Sequence, residues 1–547
     1  MPRKFPVLLF VALLTSCGYQ QTIQVTSTAV EPQTSPAIRA TTTLPTQTFT
    51  PQPRLLPITV GPEQENFPTG VNPLTGLEVA DSTLLEYRAV LVSISNMPVT
   101  ARPQAGPAFV PWIFELYIGE GSTRFMGVFY GDHLREVPNV TGGCNVRAEI
   151  YRPQGDWIGN RVWLDENENG QQDAWEMGVG GVCVRLLNGS NHEVQSETTT
   201  DSNGYFAFEN PGTDSIIQIL KPDSHQFTKQ DLGNEDRDSD VDVATGETKK
   251  FRSNSTDSFW DAGLILTEKQ IATSSPVVTG TPPDWFFPSG PYVGPVRSGR
   301  LTYNQIGGMF PNSCLVYASA AYDVAERLDS CEIVYGVDKT TPNSALLPLT
   351  RLRELAKERL NPKQPVNYSG NLFSDSIPEG GQAANTIDIY FHLYSQSGWE
   401  YDPISQTYLR YTDMADATGN LIPALDRLTG RQMAFENVIV LLTEHEHFRH
   451  NQLGIILEGG QKGFAYLFRD GQVFKVQWST LNREWEKETG LRRPFYFVDS
   501  QNNLIPLHPG RTWIHLMTPY SSVTNQGDGA WLAQFVQPAD PKDTPVP

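Results

Sequence analysis

Asp165, Asn167 and Asn169 stand at alternate positions, Gly170 follows at once, and Glu176 comes after five more residues. This is the order D-x-N-x-N-G-x5-E: alternate side chains turn their oxygens toward one centre, the glycine permits a sharp bend, and the closing glutamate supplies two oxygens. A hard divalent ion held by roughly six to eight oxygens is calcium. Gln171 would add its backbone carbonyl, and Asp173 falls at the ninth position. Asp165, Asp173 and Glu176 set roughly three negative charges against two positive, which predicts the moderate to weak affinity suited to calcium-rich external fluid. Asp236, Asp238, Asp240 and Asp242 alternate in the same way. They are a second candidate for calcium, the alternative being a polar strand edge.

A different chemistry is offered by Arg124, Arg297 and Arg300, which as a group would suit a phosphate or carboxylate. Glu115 and Glu120 would then orient the arginines or act as acid and base; the competing reading is ion pairing between neighbouring strands. Glu444-His445-Glu446-His447-Phe448-Arg449-His450 places alternate residues on one face of a strand, a pattern compatible with a metal and also with an exposed polar loop. The sequence holds no G-x-S-x-G elbow, Walker loop, H-E-x-x-H or dinucleotide fingerprint, which removes the common hydrolases and nucleotide enzymes. Ser298 has no evident base beside it.

The amino terminus says where such groups would work. Arg3 and Lys4 precede the apolar run Phe5 to Leu14, and Leu14-Thr15-Ser16-Cys17-Gly18 follows. The run spans only about 15 Å as a helix, too short to cross a bilayer, so it reads as a secretory signal. Leu-Thr-Ser-Cys resembles the bacterial lipobox, which implies cleavage before Cys17, lipidation of its thiol and an anchor on the outer face of a membrane. An oxidising exterior favours disulfides. Four further cysteines allow three pairings; Cys144 with Cys183 and Cys314 with Cys331 each fall within one proposed domain, and neither has zinc or redox spacing. A formal charge of -20 argues against nucleic acid or an anionic lipid surface as a partner of the chain as a whole.

The elements that position these groups lie between two linkers. Residues 18–68 are rich in Thr, Gln, Ser and Pro and predict a disordered stalk. Residues 267–290 predict a second linker, with Ser274-Ser275-Pro276 and Thr281-Pro282-Pro283. Strands are predicted at Ala89 to Ile94, Trp112 to Ile118 and Arg124 to Tyr130. From residue 144 to 266 short strands separated by Asp, Asn and Gly turns predict an all-β sandwich: Ile158 to Leu164, Val182 to Leu187, Tyr205 to Phe208 and Ile216 to Leu220. Pro348 to Leu360 carries the helical period, with Leu349, Leu352, Leu355, Ala356 and Leu360 on one face. Asn437 to Leu442, Gly454 to Leu457, Phe464 to Phe468 and Val473 to Trp478 read as strands, the last two joined as a hairpin through Arg469-Asp470-Gly471-Gln472.

Several motifs in order resemble the YerB-type lipoprotein family, whose domain has no established function. They are Asn72-Pro73-Leu74-Thr75-Gly76-Leu77, Ala101-Arg102-Pro103-Gln104-Ala105-Gly106, Ser122-Thr123-Arg124-Phe125 and Gly294-Pro295-Val296-Arg297-Ser298-Gly299-Arg300, then Asn437-Val438-Ile439-Val440 and Pro509-Gly510-Arg511-Thr512-Trp513. The resemblance covers residues 72–132 and 291–520. In that family the third and fourth motifs lie close together, whereas here residues 126–293 separate them. A Gly-Gly-rich segment of the family appears here as Tyr317-Ala318-Ser319-Ala320-Ala321. The intervening segment resembles the B-type repeat of serine-aspartate repeat adhesins, a calcium-binding β-sandwich, through Gly159-Asn160-Arg161-Val162-Trp163-Leu164-Asp165, Asp201-Ser202-Asn203-Gly204-Tyr205-Phe206, Asp236 to Asp242 and Asp261-Ala262-Gly263.

The expected fold is multidomain: a mixed α/β (α+β) YerB-like body over 72–132, 291–425 and a β-rich 426–520, interrupted by an all-β immunoglobulin-like sandwich over 144–266, with a flexible tail at 521–547. Two functions follow. In the first, the protein is a non-catalytic surface lipoprotein, its sandwich rigidified by calcium, with cell-wall glycan or a surface protein as partner. In the second, it is an envelope enzyme acting on an anionic wall polymer or lipid-linked phosphate through the arginines and a glutamate.

Overall fold

Val90–Ser95 sets Val90, Val92 and Ile94 on one face and Leu91, Ser93 and Ser95 on the other, and every residue in it is buried, as in a strand covered from two sides. It lies in an eleven-stranded sheet. Across that sheet run Glu332–Ile333, Cys314–Tyr317, Val90–Ser95, Ser122–Phe129, Trp112–Gly119, Thr512–Met517, Asn437–Leu442, Lys462–Arg469, Gln472–Ser479 and Gln382–Ala383, with Tyr496–Val498 paired to Gln472–Ser479. Strands from before residue 132 and after residue 291 are therefore direct neighbours: Val90–Ser95 pairs in parallel with Cys314–Tyr317, and Trp112–Gly119 pairs in parallel with Thr512–Met517. The computed structural model describes residues 59–131, 144, 156–201, 203–232, 237–252, 259–267, 292–336, 343–358, 363–449, 452–457 and 460–538.

Alternation divides the large sheet into two cores. Leu91, Trp112, Phe114, Leu116, Met126, Ile439 and Leu441 fill one, with Tyr303, Phe310 and Phe495 packed on them. Val90, Val92, Ile113, Phe125, Val438, Val440 and Trp513 fill the other. A second sheet of seven strands lies on that second face: Ile387, Ile389, Phe391, Trp399 and Tyr408 join the same core.

Residues 156–267 build a separate unit of two four-stranded sheets. One holds His225–Phe227, Ala262–Leu266, Trp157–Leu164 and Tyr205–Glu209; the other holds Phe251–Arg252, Asp214–Leu220, Cys183–Asn188 and Val194–Thr199. Ile158, Val162, Val184, Phe206, Ile217 and Trp260 form its own core. Both expected disulfides are present, Cys144 with Cys183 and Cys314 with Cys331, at Cα separations of 5.3 and 5.4 Å.

The body is strand-rich, and among the described residues its α-helices are Tyr303–Gly307, Tyr322–Ala325, Leu349–Lys357 and Glu484–Thr489, of which only Leu349–Lys357 reaches nine residues. That is the one segment with a sustained helical period; Leu349, Leu352, Leu355 and Ala356 are its buried face. Two expectations change. Part of the expected flexible tail forms two strands, Ser522–Gly527 and Ala530–Gln534, because Trp531, Ala533 and Phe535 alternate into the core and Ala530–Gln534 pairs in parallel with Thr386–His392; residues 539–547 lie outside the described residues. The expected stalk ends before residue 68: Thr59–Val60 pairs with Phe373–Ser374, and Glu63 meets Arg493 at 2.5 Å. Cys17, the signal segment and most of the second linker lie outside the described residues. No described helix is long and apolar enough to cross a membrane.

Candidate functional site

Asp165 begins where Trp157–Leu164 ends, its amide bonded to Leu264 O at 2.9 Å. Gly170, at φ +82°, supplies the left-handed backbone of the bend. Around that bend the ligand-type side chains close on one another. Asp165 Oδ1 accepts from the Asn169 amide at 3.2 Å and Oδ2 from the Gly170 amide at 2.9 Å, with the Thr228 hydroxyl also on Oδ2. Asp173 Oδ2 accepts from Asn167 Nδ2 at 2.7 Å and Asn169 Nδ2 at 3.1 Å. Glu176 spans the loop, taking the Glu166 amide at 2.9 Å and the Asp173 amide at 3.0 Å. Gln171 forms a backbone bridge to Asp238 and does not point its side chain inward; its Nε2 donates to Leu232 O.

Asp165 and Glu176 are only 1% and 2% exposed. Burial pushes the Glu176 carboxyl up to about 7, and the negative charges of Asp165 and Asp173 push it the same way, against two backbone hydrogen bonds. A buried carboxylate beside two others is the electrostatic condition that a divalent cation relieves, and this all-oxygen donor set fits calcium.

The second acidic run divides. Asp236 lies outside the described residues. Asp238 and Asp240 are buried, and Asp240 Oδ2 accepts from the Asp261 amide at 2.6 Å. Burial, then the neighbouring Asp240, hold the Asp261 carboxyl well above its usual range. Asp242 instead caps a turn, accepting from the Ala244 and Thr245 amides at 3.0 and 2.9 Å.

The arginines do converge. Arg124 lies on the face of Ser122–Phe129 that also carries Met126 and Val128. The Val296 bridge to Ile94 and the bond from the Arg297 amide to Ser93 O, 2.8 Å, bring the 296–300 segment beside it. Ser298 Oγ then receives Arg300 Nη1 at 2.9 Å and Arg124 Nη1 at 3.5 Å. Burial, with Arg300 and Arg297 adding to it against the Tyr303 hydroxyl, brings the Arg124 guanidinium down to about 10.

Glu115 does not join them as orienting group, acid or base. Glu115 faces the opposite core. Its Oε1 accepts from Thr123 Oγ1 at 2.9 Å, and its Oε2 lies 3.2 Å from Arg410 Nη2, 3.2 Å from Trp513 Nε1 and 3.3 Å from His515 Nδ1. Burial alone would raise this carboxyl; Arg410, His515 and Thr123 outweigh it and bring it to about 2. Glu120 is exposed in the hairpin turn at φ +52°. The Glu115 network was not anticipated; its signal was Arg410, between Tyr408 and Thr412 on the buried parity of Thr407–Asp413. Among the described residues the histidine run forms no metal cluster: His445 Nδ1 meets Thr443 O at 2.8 Å, His447 Nε2 meets Pro538 O at 3.1 Å, and Glu446 is exposed, while His450 lies outside the described residues. Burial lowers His445 to about 4.

Family models match three stretches. The SdrD B-like domain matches residues 156–264. The N-terminal and C-terminal domains of a protein family of unknown function, DUF3048, match residues 74–159 and 387–514. The chain thus carries stretches that match both DUF3048 domains and, between them, one that matches the SdrD B-like domain. The solved structure of the YerB protein from Bacillus subtilis aligns with 82% of this chain and 96% of its own, at 15% identity and a TM-score of 0.41. Among curated proteins, Colossin-C of Dictyostelium discoideum is 55% identical over 96 residues, 18% of this chain and 9% of its own length. Serine-aspartate repeat-containing protein F of Staphylococcus epidermidis is 35% identical over 158 residues, 27% of this chain and 9% of its own. A fibrinogen-binding protein of Staphylococcus epidermidis is 38% identical over 107 residues, 19% of this chain and 10% of its own. The chain thus spans about a tenth of the length of these relatives.

Proposed function

We propose that this protein is a non-catalytic binding protein of the bacterial cell surface, held to the membrane by lipid on Cys17, with a sandwich inserted into its body and made rigid by calcium. The observation that carries the reading is the loop itself: Asp165 and Glu176 are buried together while Asn167, Asn169 and Asp173 close the same ring. Calcium would replace the loop's internal hydrogen bonds with ionic ones and offset the cost of burying these carboxylates. A rigid sandwich presents its outer surface without the entropy loss of ordering it on binding. The likeness to surface-adhesin relatives, one of them named for fibrinogen binding, supports an extracellular protein as partner; cell-wall glycan is the second class of partner.

Calorimetric titration of the full chain with calcium tests the reading. Binding is expected at about 0.1 to 1 mM, the range of extracellular calcium modules, and loss of that heat in Asp165→Asn and Glu176→Gln. Absence of heat at millimolar calcium, or full binding by both variants, would sink the loop assignment.

A further inference from the structure

The parallel strands Val90–Ser95 and Cys314–Tyr317 run side by side through Val92 and Val316 and then part. The 297–299 segment enters the opening: the Arg297 amide bonds Ser93 O at 2.8 Å, the Ala318 amide bonds Arg297 O at 2.9 Å, and the Gly299 amide bonds Ser319 O at 2.6 Å. Ser298 is thereby fixed at the carboxyl ends of two diverging parallel strands, the place where open sheets commonly receive ligands. Glycine at 299 is what lets the chain lie so close, since a Cβ there would meet Leu328 Cδ1 at 2.5 Å.

Three guanidinium groups meet at this point. Arg124, 4% exposed, forms the floor, while Arg297, Ser298 and Arg300 are half-buried and reachable from outside. The charged or ionisable groups that act on Arg124 are Tyr303, Arg300 and Arg297; no carboxylate is among them. Burial, with Arg300 adding to it, lowers the Arg297 guanidinium too. Buried Nε of Arg124 and of Arg300 has no hydrogen-bond partner among the described residues. Positive charge is thus concentrated around Ser298 in a chain whose net charge is -20. Like charges brought together under low dielectric repel strongly and need an anion between them.

We propose that Arg124, Arg297, Ser298 and Arg300 form a binding site for a phosphate group, free or esterified. A carboxylate has two oxygens and one charge, enough for one guanidinium fork. A phosphate group offers at least two unesterified oxygens, three in a monoester with nearly two charges, and so engages several arginines at once. Ser298 completes the donor set. Its oxygen accepts from Arg300 and Arg124, which occupies both lone pairs and leaves the hydroxyl proton to donate to an anion. Ser93 Oγ and the Tyr303 hydroxyl, 3.0 Å apart, satisfy each other behind the site. Glu115 lies on the other face of the sheet, against Arg410 and Trp513.

The test is calorimetric titration of the full chain in chelator, with inorganic phosphate, glycerol phosphate and acetate at equal ionic strength. Saturable binding of inorganic phosphate or glycerol phosphate, absent with acetate and weakened about tenfold or more in Arg300→Gln, is the expected result, since one charge-assisted contact is worth roughly that factor. Preference for glycerol phosphate would identify an ester as the source; equal binding would identify free phosphate as sufficient. Arg124→Gln should abolish binding, and if melting shows that variant unfolded, Arg300→Gln on the rim decides alone. No saturable binding of either phosphate, an equal response to acetate, or binding unchanged in Arg300→Gln overturns the proposal. Because calcium is absent throughout, this outcome is independent of the calcium loop.

Discussion

Glu176 and Glu115 are both buried carboxyls, and their surroundings send them in opposite directions. Glu176, raised to about 7 by burial and by its acidic neighbours, holds a proton in the folded state at pH values where the unfolded chain has lost it. Between the ordinary glutamate value near 4.3 and about 7 the unfolded state therefore binds fewer protons, and stability in chelator falls as pH rises through that window. Calcium needs the carboxylate, so its affinity should rise with pH and level off above about 7. Melting of the sandwich at pH 5, 6, 7 and 8, with and without calcium, checks both slopes. Glu115, depressed to about 2 by Arg410, His515 and Thr123 in spite of burial, contributes stability that is present above the unfolded value near 4.3 and lost as pH falls toward 2. Glu115→Gln leaves the buried Arg410 guanidinium without its counter-charge and is expected to cost about 3 to 5 kcal/mol in urea denaturation. Glu115→Gln combined with Arg410→Met should cost less than the single change. The closed acidic loop was legible in the sequence because its side chains fall within twelve consecutive positions; the Glu115 network was not, because Arg410 is 295 positions away and Trp513 398.

One backbone irregularity decides which element faces what. The hairpin of Trp112–Gly119 and Ser122–Phe129 opens with Gly119 opposite Ser122, but past a bulge Tyr117 faces Thr123, Leu116 faces Arg124 and Glu115 faces Phe125. In an unbroken ladder Arg124 would oppose Tyr117 and share a face with Glu115. One extra residue turns it to the other core. That explains why the arginines and Glu115 read as one cluster in the sequence and as two sites in the fold: strand positions were legible from apolar runs, strand register was not. The seven-stranded sheet was missed for a related reason, since Thr386–His392 and Ala530–Gln534, parallel neighbours, come from distant parts of the chain. Disulfide pairing needed only domain boundaries to be legible. Cys314–Cys331 closes a loop of separation 17 and Cys144–Cys183 one of 39, so loop entropy assigns them about 3 and about 4 kcal/mol. Replacing Cys314 and Cys331 together by alanine should lower body stability by about the first amount in urea denaturation and leave calcium binding unchanged.

At the scale of the molecule, the sandwich has a closed core of its own while the two body cores share the large sheet. Contact between them includes Arg431, buried, whose Nη2 donates to Gly178 O at 2.5 Å, two residues past Glu176. Burial, with Arg161 beside it, lowers that guanidinium to about 10, so the joint is polar and carries a desolvation cost, unlike the apolar interior of either part. Polar joints of this kind transmit little cooperativity compared with a shared core. Calorimetry of the full chain should therefore resolve two transitions. At free calcium 100 times its dissociation constant the bound sandwich gains about 2.7 kcal/mol, which for a domain of its size is a rise of roughly 10 to 20 °C. The body transition, built on the large sheet and its disulfide, should move by less than about 2 °C. One merged transition that shifts as a whole with calcium would mean instead that Arg431 and its surroundings weld the two parts into a single cooperative unit, and Arg431→Met would then be expected to split it.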